Sequence, residues 1–414
     1  MKSINLLCAA DLHLGRQVRG IRGKISPVIH AWERLIETCL QTHPKIDALL
    51  LAGDILDGSD LFVEMYGILK KGITKLLDHQ IPVIGIAGNH DATLLHQLPG
   101  FSLLGAKGNW ERYSLIFPDR TVHIDGISFT ESFMLDNPIL HYDLEKVSSN
   151  DLLIGLLHCD LYDVTSKYAP VRPADFEKLP HSAWILGHIH IPRQISKTPL
   201  VSYCGSLQGL DVSEDGPRGA TLLSIAPCGS ISTRPIPLGT LRWERLSLDL
   251  TGLSIENWKG TLLEEIEKKL REQIGNSTYV EMIGVRLLLE GRTVAFSQLS
   301  HAISEFELEG EICINSRWIP YFIESIENRT RPIYELKHLS EGNDFVAILA
   351  RTLLSFEENE SLMDGALSFA TQKLKQASYL KQCEGAFPDS TEVKKLYLQQ
   401  GHELLSELLA QRGK

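Results

Sequence analysis

The sequence has no Cys-x-x-Cys pair. Its seven cysteines, at positions 8, 39, 159, 204, 228, 313 and 383, are scattered along 414 residues. That spacing argues against a zinc–thiolate site and fits reduced thiols in a cytoplasm. No apolar run approaches the ~20 residues that a membrane-spanning helix needs, so no membrane association is expected. The first apolar run, residues 4–10, stops at Asp11 and reads as a strand, not as a signal peptide. Internal repeats and low-complexity segments are also missing. So is a positive balance: the net charge is −11 and the pI about 5.8, which taken alone argues against a nucleic-acid binder. The distribution qualifies that. Residues 1–240 carry −4, residues 241–414 carry −7 and the first fifty carry +3. A local basic patch is therefore compatible with the first part, and two divalent cations would offset its −4.

What is present is ordinary for a soluble globular chain, with 43% hydrophobic and 22% charged residues, and enough length for two or three domains. Strand-like apolar runs occur at 4–10, 48–52, 81–86, 152–157, 184–186 and 200–204. Ser26-Pro27 is a start signal for a helix over 28–40, and Asp60 is placed to cap a second over 61–77. Strand–helix–strand order predicts parallel pairing early in the chain. The later strands, with few helices between them, predict a second and more mixed sheet. Composition shifts to Thr, Pro and Gly at 233–240, which places a boundary near 240. Beyond it, a helix over 258–274, a strand over 280–289, a helix over 296–306 and a strand over 311–314 predict a small α+β module at 241–340. Residues 341–414 read as helical, and Val393, Leu396, Tyr397, Leu404, Leu405, Leu408 and Leu409 form an apolar stripe in the last helix.

Five polar motifs each follow an apolar run. They are Asp11-Leu12-His13, Gly53-Asp54-Ile55-Leu56-Asp57, Gly88-Asn89-His90-Asp91, His158, and Gly187-His188-Ile189-His190. The first four motifs are each weak alone, since Gly, Asn and Asp are turn residues and a lone histidine is usually structural, while Gly-His-x-His alone is a moderate signal. All five in order, at five strand ends, describe a pocket. In an extended chain, Asp11 and His13 share one side, as do His188 and His190. The set offers carboxylates, an amide and imidazoles without a thiolate, which suits manganese, iron or zinc. It also exceeds the needs of one ion, so two divalent ions are expected, ~3.5–4 Å apart, able to clamp a phosphate and generate a hydroxide at neutral pH.

This order of motifs resembles the calcineurin-like metallophosphoesterase superfamily. The resemblance implies a four-layer α/β/β/α sandwich with two mixed sheets over 1–240. It assigns Asp11, His13, Asp54 and His190 to one metal ion, and Asp54 as a bridge, Asn89, His158 and His188 to the other. It makes His90 the general acid or transition-state stabiliser at the scissile phosphate. Asp91 either orients His90 or caps its loop, and Asp57 reads as a structural hydrogen-bond acceptor. Serine/threonine phosphoprotein phosphatases have Arg where Gly58 stands and Glu where Asp91 stands, which disfavours that branch. Asp-Leu-His-Leu-Gly, Tyr203-Cys204-Gly205-Ser206 after the last motif, and Glu214-x-Gly216-x-x-Gly219 look like the SbcD/Mre DNA-repair nucleases, in particular the shorter YhaO-type bacterial branch.

That likeness implies a manganese-dependent phosphodiesterase on DNA, with 3′→5′ exonuclease and single-strand endonuclease action. It implies a DNA-capping domain at 241–340 and an SbcC/Rad-type coiled-coil ATPase as partner, with a homodimer as a further expectation. The helical stripe from Val393 to Leu409 either docks on such a partner or packs on its own domain. Arg16, Arg19, Arg22 and Lys24, interleaved with Gly15, Gly20 and Gly23, either bind DNA phosphates or form a solvated loop. Two other functions compete. One is a phosphodiesterase or nucleotide phosphatase acting on small molecules. The other is a scaffold without catalysis, which the retained ligand types and His90 argue against.

Overall fold

The computed structural model describes residues 2–18, 26–57, 62–95, 98–161, 163, 165–252, 256, 258–275, 277–293, 299, 301, 303, 312–313, 318–376, 398, 400–402, 404–405 and 407–409. The chain divides into two compact units. One holds residues 1–245, 276–286 and 310–324; the other holds 246–275, 287–309 and 325–414.

The first unit opens with β1 (Ile4–Ala9), α1 (Pro27–Gln41), β2 (Ala48–Ala52), α2 (Phe62–Asp78), β3 (Val83–Ile86) and β4 (Phe101–Leu103). These four strands pair in parallel, the first three through the helical connections that parallel pairing requires. There follow β5 (Glu111–Ile116), β6 (Thr121–Gly126), β7 (Leu152–His158), the short parallel pair β8 (Asp160–Leu161) and β9 (Pro170–Val171), β10 (Ala183–Gly187), β11 (Arg193–Lys197), β12 (Leu200–Tyr203), β13 (Gly219–Ile225) and β14 (Ile231–Pro237). Two six-stranded sheets result, in the orders β14-β13-β1-β2-β3-β4 and β11-β12-β10-β7-β6-β5. Both are mixed: β13 and β14 are antiparallel additions to the first, and β5 and β11 to the second.

Alternation along each strand sorts the core. Leu7, Ala9, Leu49, Leu51 and Val83 face α1 and α2, in a cluster with Trp32, Leu35, Leu69 and Ile73. Leu6, Cys8, Leu50, Ile84 and Ile86 face the other way and meet Ile124, Ile154, Leu156 and Ile185 of the second sheet. Each fully buried Leu or Ile contributes about 1.5–3 kcal/mol, so the inter-sheet layer fixes how the two sheets meet. The outer face of the second sheet packs Trp184, Leu157 and Val201 against Phe176 and Ile139, which lie on two short 3-10 helices, Pro173–Lys178 and Pro138–His141. The expected sandwich of helix, sheet, sheet and helical layer is thereby present.

Pro27 opens α1 after an extended Ser26, φ −105°; its missing N–H is one the first turn does not need. The Pro- and Gly-rich stretch at 233–240 largely forms edge strand β14, paired with β13 from Gly219↔Pro237 to Ile225↔Ile231. Prolines are tolerated there because an edge strand leaves N–H positions unpaired.

Further along the chain come β15 (Leu241–Asp249), β16 (Met282–Glu290) and β19 (Tyr321–Asn328). With β18 (Ile312–Cys313) they make a sheet in the order β15-β16-β19-β18. A parallel pair, β17 (Arg292–Thr293) and β20 (Arg331–Pro332), belongs to the second unit. That unit also holds α3 (Trp258–Ile274), which buries Leu262, Ile266 and Leu270 at helical spacing. It continues with α4 (Leu336–Ser340), α5 (Phe345–Glu358) and α6 (Glu360–Gln376). Val346, Leu353 and Leu405 pack there with Leu408 and Leu409. Val393, Leu396 and Tyr397 of the expected stripe, Asp60, and most of the helix expected at 296–306 lie outside the described residues. Among the described residues no helix is long and apolar enough to cross a membrane.

Candidate metal centre

Parallel strands end on the same side of a sheet, and that edge is where α/β proteins gather polar groups. Asp11 and His13 follow β1, Asp54 follows β2, Asn89 follows β3, His158 ends β7, and His188 and His190 follow β10. The structure brings most of them together. Asp11, His13 and His190 offer donor atoms within 4.8 Å of one another, and so do Asp11, Asp54 and His158. A third group joins His13, Asp57 and His90. His188 is in none of these groups; its ring lies 5.3 Å from that of His158 and 4.8 Å from that of Tyr168.

The backbone is unusual at this point. Asp11, His13, Asp54 and His188 have φ of 50°, 48°, 51° and 94°, the left-handed region that side chains with a Cβ resist. The expectation of an extended Asp-x-His segment is therefore corrected. Asp11 and His13 converge because both residues turn, with the Asp11 and His13 amides donating to the Gly53 and Asp54 carbonyls at 3.1 and 3.0 Å. Gly88 is needed for close approach: a Cβ there would lie 2.1 Å from Asp54 Oδ1 and 2.7 Å from the Asp54 backbone nitrogen.

Hydrogen bonds fix which ring nitrogens face inward. His158 Nδ1 donates to the Ala52 carbonyl at 3.0 Å. Its Nε2 then faces Asn89 Oδ1 at 3.1 Å and Asp54 Oδ2 at 3.4 Å. His190 Nδ1 donates to Glu214 Oε1 at 2.7 Å, which turns its Nε2 toward His13 Nε2 at 3.1 Å. Electron-rich oxygen and nitrogen atoms thus converge without a thiolate. Such a donor set fits divalent cations, with the outer hydrogen bonds holding each imidazole in its ligating tautomer.

The electrostatics agree. Burial opposes the Asp54 charge, but His158, His13 and the His90 amide hold its carboxyl well below the ordinary range. Burial also opposes charge on His158, yet Asp54 outweighs it and pushes the imidazole up to about 9. The buried negative charge that attracts a proton here would equally attract a metal cation. His188 goes the other way: burial, then the neighbouring His158, pushes it down to about 3, so it stays neutral.

Asp91 was expected either to orient His90 or to cap its loop, and its hydrogen bonds fit the second role. The His90 Nδ1 partner is Asp57 Oδ1 at 2.8 Å, and this hydrogen bond raises the imidazole pKa. Asp57 also lies 3.3 Å from His13 Nδ1. Asp91 is fully buried and turns away from His90. Its Oδ2 accepts from the Ile55 and Leu56 amides at 2.6 and 3.2 Å, and its Oδ1 from the Gly88 amide at 2.7 Å. Asp91 therefore clamps the loop after β2 to the loop after β3. Burial, then the Asp54 charge, pushes it up to about 7 against the pull of those three amides.

Two residues carry more than the motifs disclosed. Asp57 is an acceptor, as read, but the group it holds is His90. Glu214 was visible only as a letter in Glu-x-Gly; it is 7% exposed and holds His190 while accepting from Ser206 Oγ at 2.6 Å. Arg16 is exposed with Nε 3.9 Å from Asp57 Oδ2. Arg19, Arg22 and Lys24 lie outside the described residues.

Residues 4–192 match the calcineurin-like phosphoesterase family. The chain is 25% identical over 335 residues to the uncharacterized metallophosphoesterase YhaO of Bacillus subtilis, covering 75% of this chain and 80% of that protein. It is 28% identical over 237 residues to the DNA double-strand break repair protein Mre11 of Aeropyrum pernix, covering 52% of this chain and 56% of that one. The corresponding figures for Mre11 of Sulfurisphaera tokodaii are 23% over 322 residues, 74% and 78%. The span thus ranges from about half to four-fifths of these relatives' lengths. Family and donor set together imply divalent metal ions. The chain is a metal-dependent phosphoester hydrolase, in which residues 4–192 form a calcineurin-like phosphoesterase domain with homologues among the YhaO and Mre11 proteins.

Proposed function

We propose that the chain is a DNA phosphodiesterase, a 3′→5′ exonuclease and single-strand endonuclease that uses two manganese ions. In this reading Asp11, His13, Asp54 and His190 hold one ion, and Asp54, Asn89, His158 and His188 the other. When bound, the ions supply a nucleophile at neutral pH and neutralise phosphate charge. The observation that supports this most is the convergence of carboxylate, amide and imidazole donors from both sheets in a chain homologous to DNA repair proteins.

The chain's own residues then have separable tasks. His90 is 39% exposed at the edge of the cluster, and its Nδ1 is tied to Asp57. Asp57 holds a proton on Nδ1 and fixes the ring, leaving Nε2 to hydrogen-bond the phosphate or donate a proton to the leaving oxygen. Arg16 and the cations at 19, 22 and 24 position the strand through its phosphates.

We also propose a DNA-capping role for residues 241–340 and a docking role for 341–414 on an SbcC/Rad-type coiled-coil ATPase. Exposed Phe345, Ile348, Leu362 and Phe369 on α5 and α6 support the latter. A cytoplasmic location and pairing with a second copy complete the reading. The test compares duplex DNA, single-stranded DNA and a chromogenic phosphodiester, each with manganese and with chelator. Manganese-dependent cleavage of DNA is expected, and His90→Ala should bind metal yet lose turnover. Hydrolysis of the small diester with DNA left intact would favour a small-molecule substrate.

A further inference from the structure

An aromatic track leaves the metal centre on a part of the surface that the proposed reaction does not use. It starts at His188, whose ring is tilted by 40° against Tyr168 at 4.8 Å. Tyr168 in turn lies against Phe133, 5.9 Å away and tilted by 39°. Lys167 Nζ sits over the Phe133 ring, 5.4 Å from its centroid. Phe133 is 52% exposed, so about half of it remains open to solvent beside Tyr168 and Lys167.

The two segments that carry these rings are stapled together. Met134 and Tyr168 form a parallel bridge. The Met134 amide donates to the Lys167 carbonyl at 2.9 Å, and the Ala169 amide to the Met134 carbonyl at 2.7 Å. Ala169 holds a φ of 48°, and the Asp160 amide at β8 donates to the Tyr168 carbonyl at 2.8 Å. The exposed ring is thus presented on a braced backbone, which lowers the entropy cost of using it as a binding surface.

We propose that Phe133, backed by Tyr168 and flanked by Lys167, is a stacking platform for a nucleobase of the strand whose phosphate lies at the metal centre. Three observations favour that occupant. The track begins at His188, so it adjoins the centre where the strand's phosphate would lie. The platform is aromatic, and every base offers a π-face to it whatever the sequence. The cation beside the ring suits the phosphate that travels with each base. This rests on the phosphodiesterase reading above and adds that the chain recognises a base, not only a phosphate.

The test uses single-stranded oligonucleotides with one cleavable linkage and one abasic residue moved stepwise along the strand, with manganese present. Stacking of a base on an aromatic side chain corresponds to roughly 5- to 150-fold in affinity. In the wild-type chain, an abasic residue at one or two positions beside the cleavable linkage should raise KM by that factor. Phe133→Ala should bring the ratio of abasic to normal KM close to one. Ile116→Ala removes another exposed apolar side chain, on β5, and should keep the wild-type ratio. A wild-type ratio near one at every position, or a ratio that survives Phe133→Ala, overturns the platform while leaving the nuclease reading standing. No cleavage of any oligonucleotide overturns both.

Discussion

Consider replacing Asp91 by Ala. The carboxylate is fully buried and accepts three backbone amides, from Ile55, Leu56 and Gly88, at 2.6, 3.2 and 2.7 Å. A hydrogen bond to a charged acceptor is worth about 1.5–3 kcal/mol, and a buried amide left unpaired costs about 1–3 kcal/mol. Three such donors lose their acceptor at once, partly relieved by relaxation of the loops, so the expected loss is about 3–5 kcal/mol. At about 2–4 °C per kcal/mol for a unit of this size, Tm should fall by roughly 10 °C. Below the transition His90 still has Asp57, so kcat should fall by less than about 10-fold. Asp57→Asn should do the reverse. Its side chain is 15% exposed, so Tm should move by only a few degrees, while kcat should fall by roughly 100-fold because a carboxamide can donate as well as accept and no longer fixes the His90 tautomer. Thermal unfolding and steady-state hydrolysis of a chromogenic phosphodiester measure both. An Asp91→Ala chain with unchanged Tm and lost kcat would refute the division of labour between the two carboxylates.

Three further outcomes follow from the same structure. Gly88→Ala puts a Cβ 2.1 Å from Asp54 Oδ1 and 2.8 Å from Asp54 Cγ; it should cost about 1–3 kcal/mol in unfolding free energy and weaken metal binding in a calorimetric titration. Glu214→Gln should weaken manganese binding by about 10- to 100-fold, read by electron paramagnetic resonance, because a carboxamide no longer selects the His190 tautomer; unchanged affinity would make Glu214 a packing residue only. Asp125 is buried, and burial opposes its charge, but Arg112, His181 and Tyr142 hold it down at about 2, below its ordinary 3.8. Because the folded state binds that proton later than the unfolded state, its contribution of about 2 kcal/mol is full above pH 4 and is lost as pH falls toward 2. Urea unfolding should therefore show the wild-type advantage over Asp125→Asn shrinking across that window.

The strands that carry the centre were legible because each is an apolar run of buried residues: β1, β2, β3, β7 and β10 end where Asp11, Asp54, Asn89, His158 and His188 begin. Helix α3 was legible at both ends from its periodicity. Strands β11 and β14 were not, because both are sheet edges with burial too slight to impose alternation. At the centre, residue types were legible and backbone shape was not. Nothing in the letters of Asp11 or His13 signals a left-handed φ, which the neighbouring loop imposes through its carbonyls. Asp91 read as an orienting group or a loop cap without its full role, because two of its three partners, the Ile55 and Leu56 amides, lie about 35 positions away and are backbone atoms.

The central claim is that this cluster holds two ions and that both serve phosphodiester cleavage. The most direct measurement titrates manganese into the metal-free chain while following cleavage of a single-stranded oligonucleotide. Cleavage should saturate at two equivalents of manganese per chain, and Asp54→Asn, which removes the carboxylate lying between His13 and His158, should abolish that saturation. Saturation at one equivalent, or cleavage that proceeds without metal, would contradict the account.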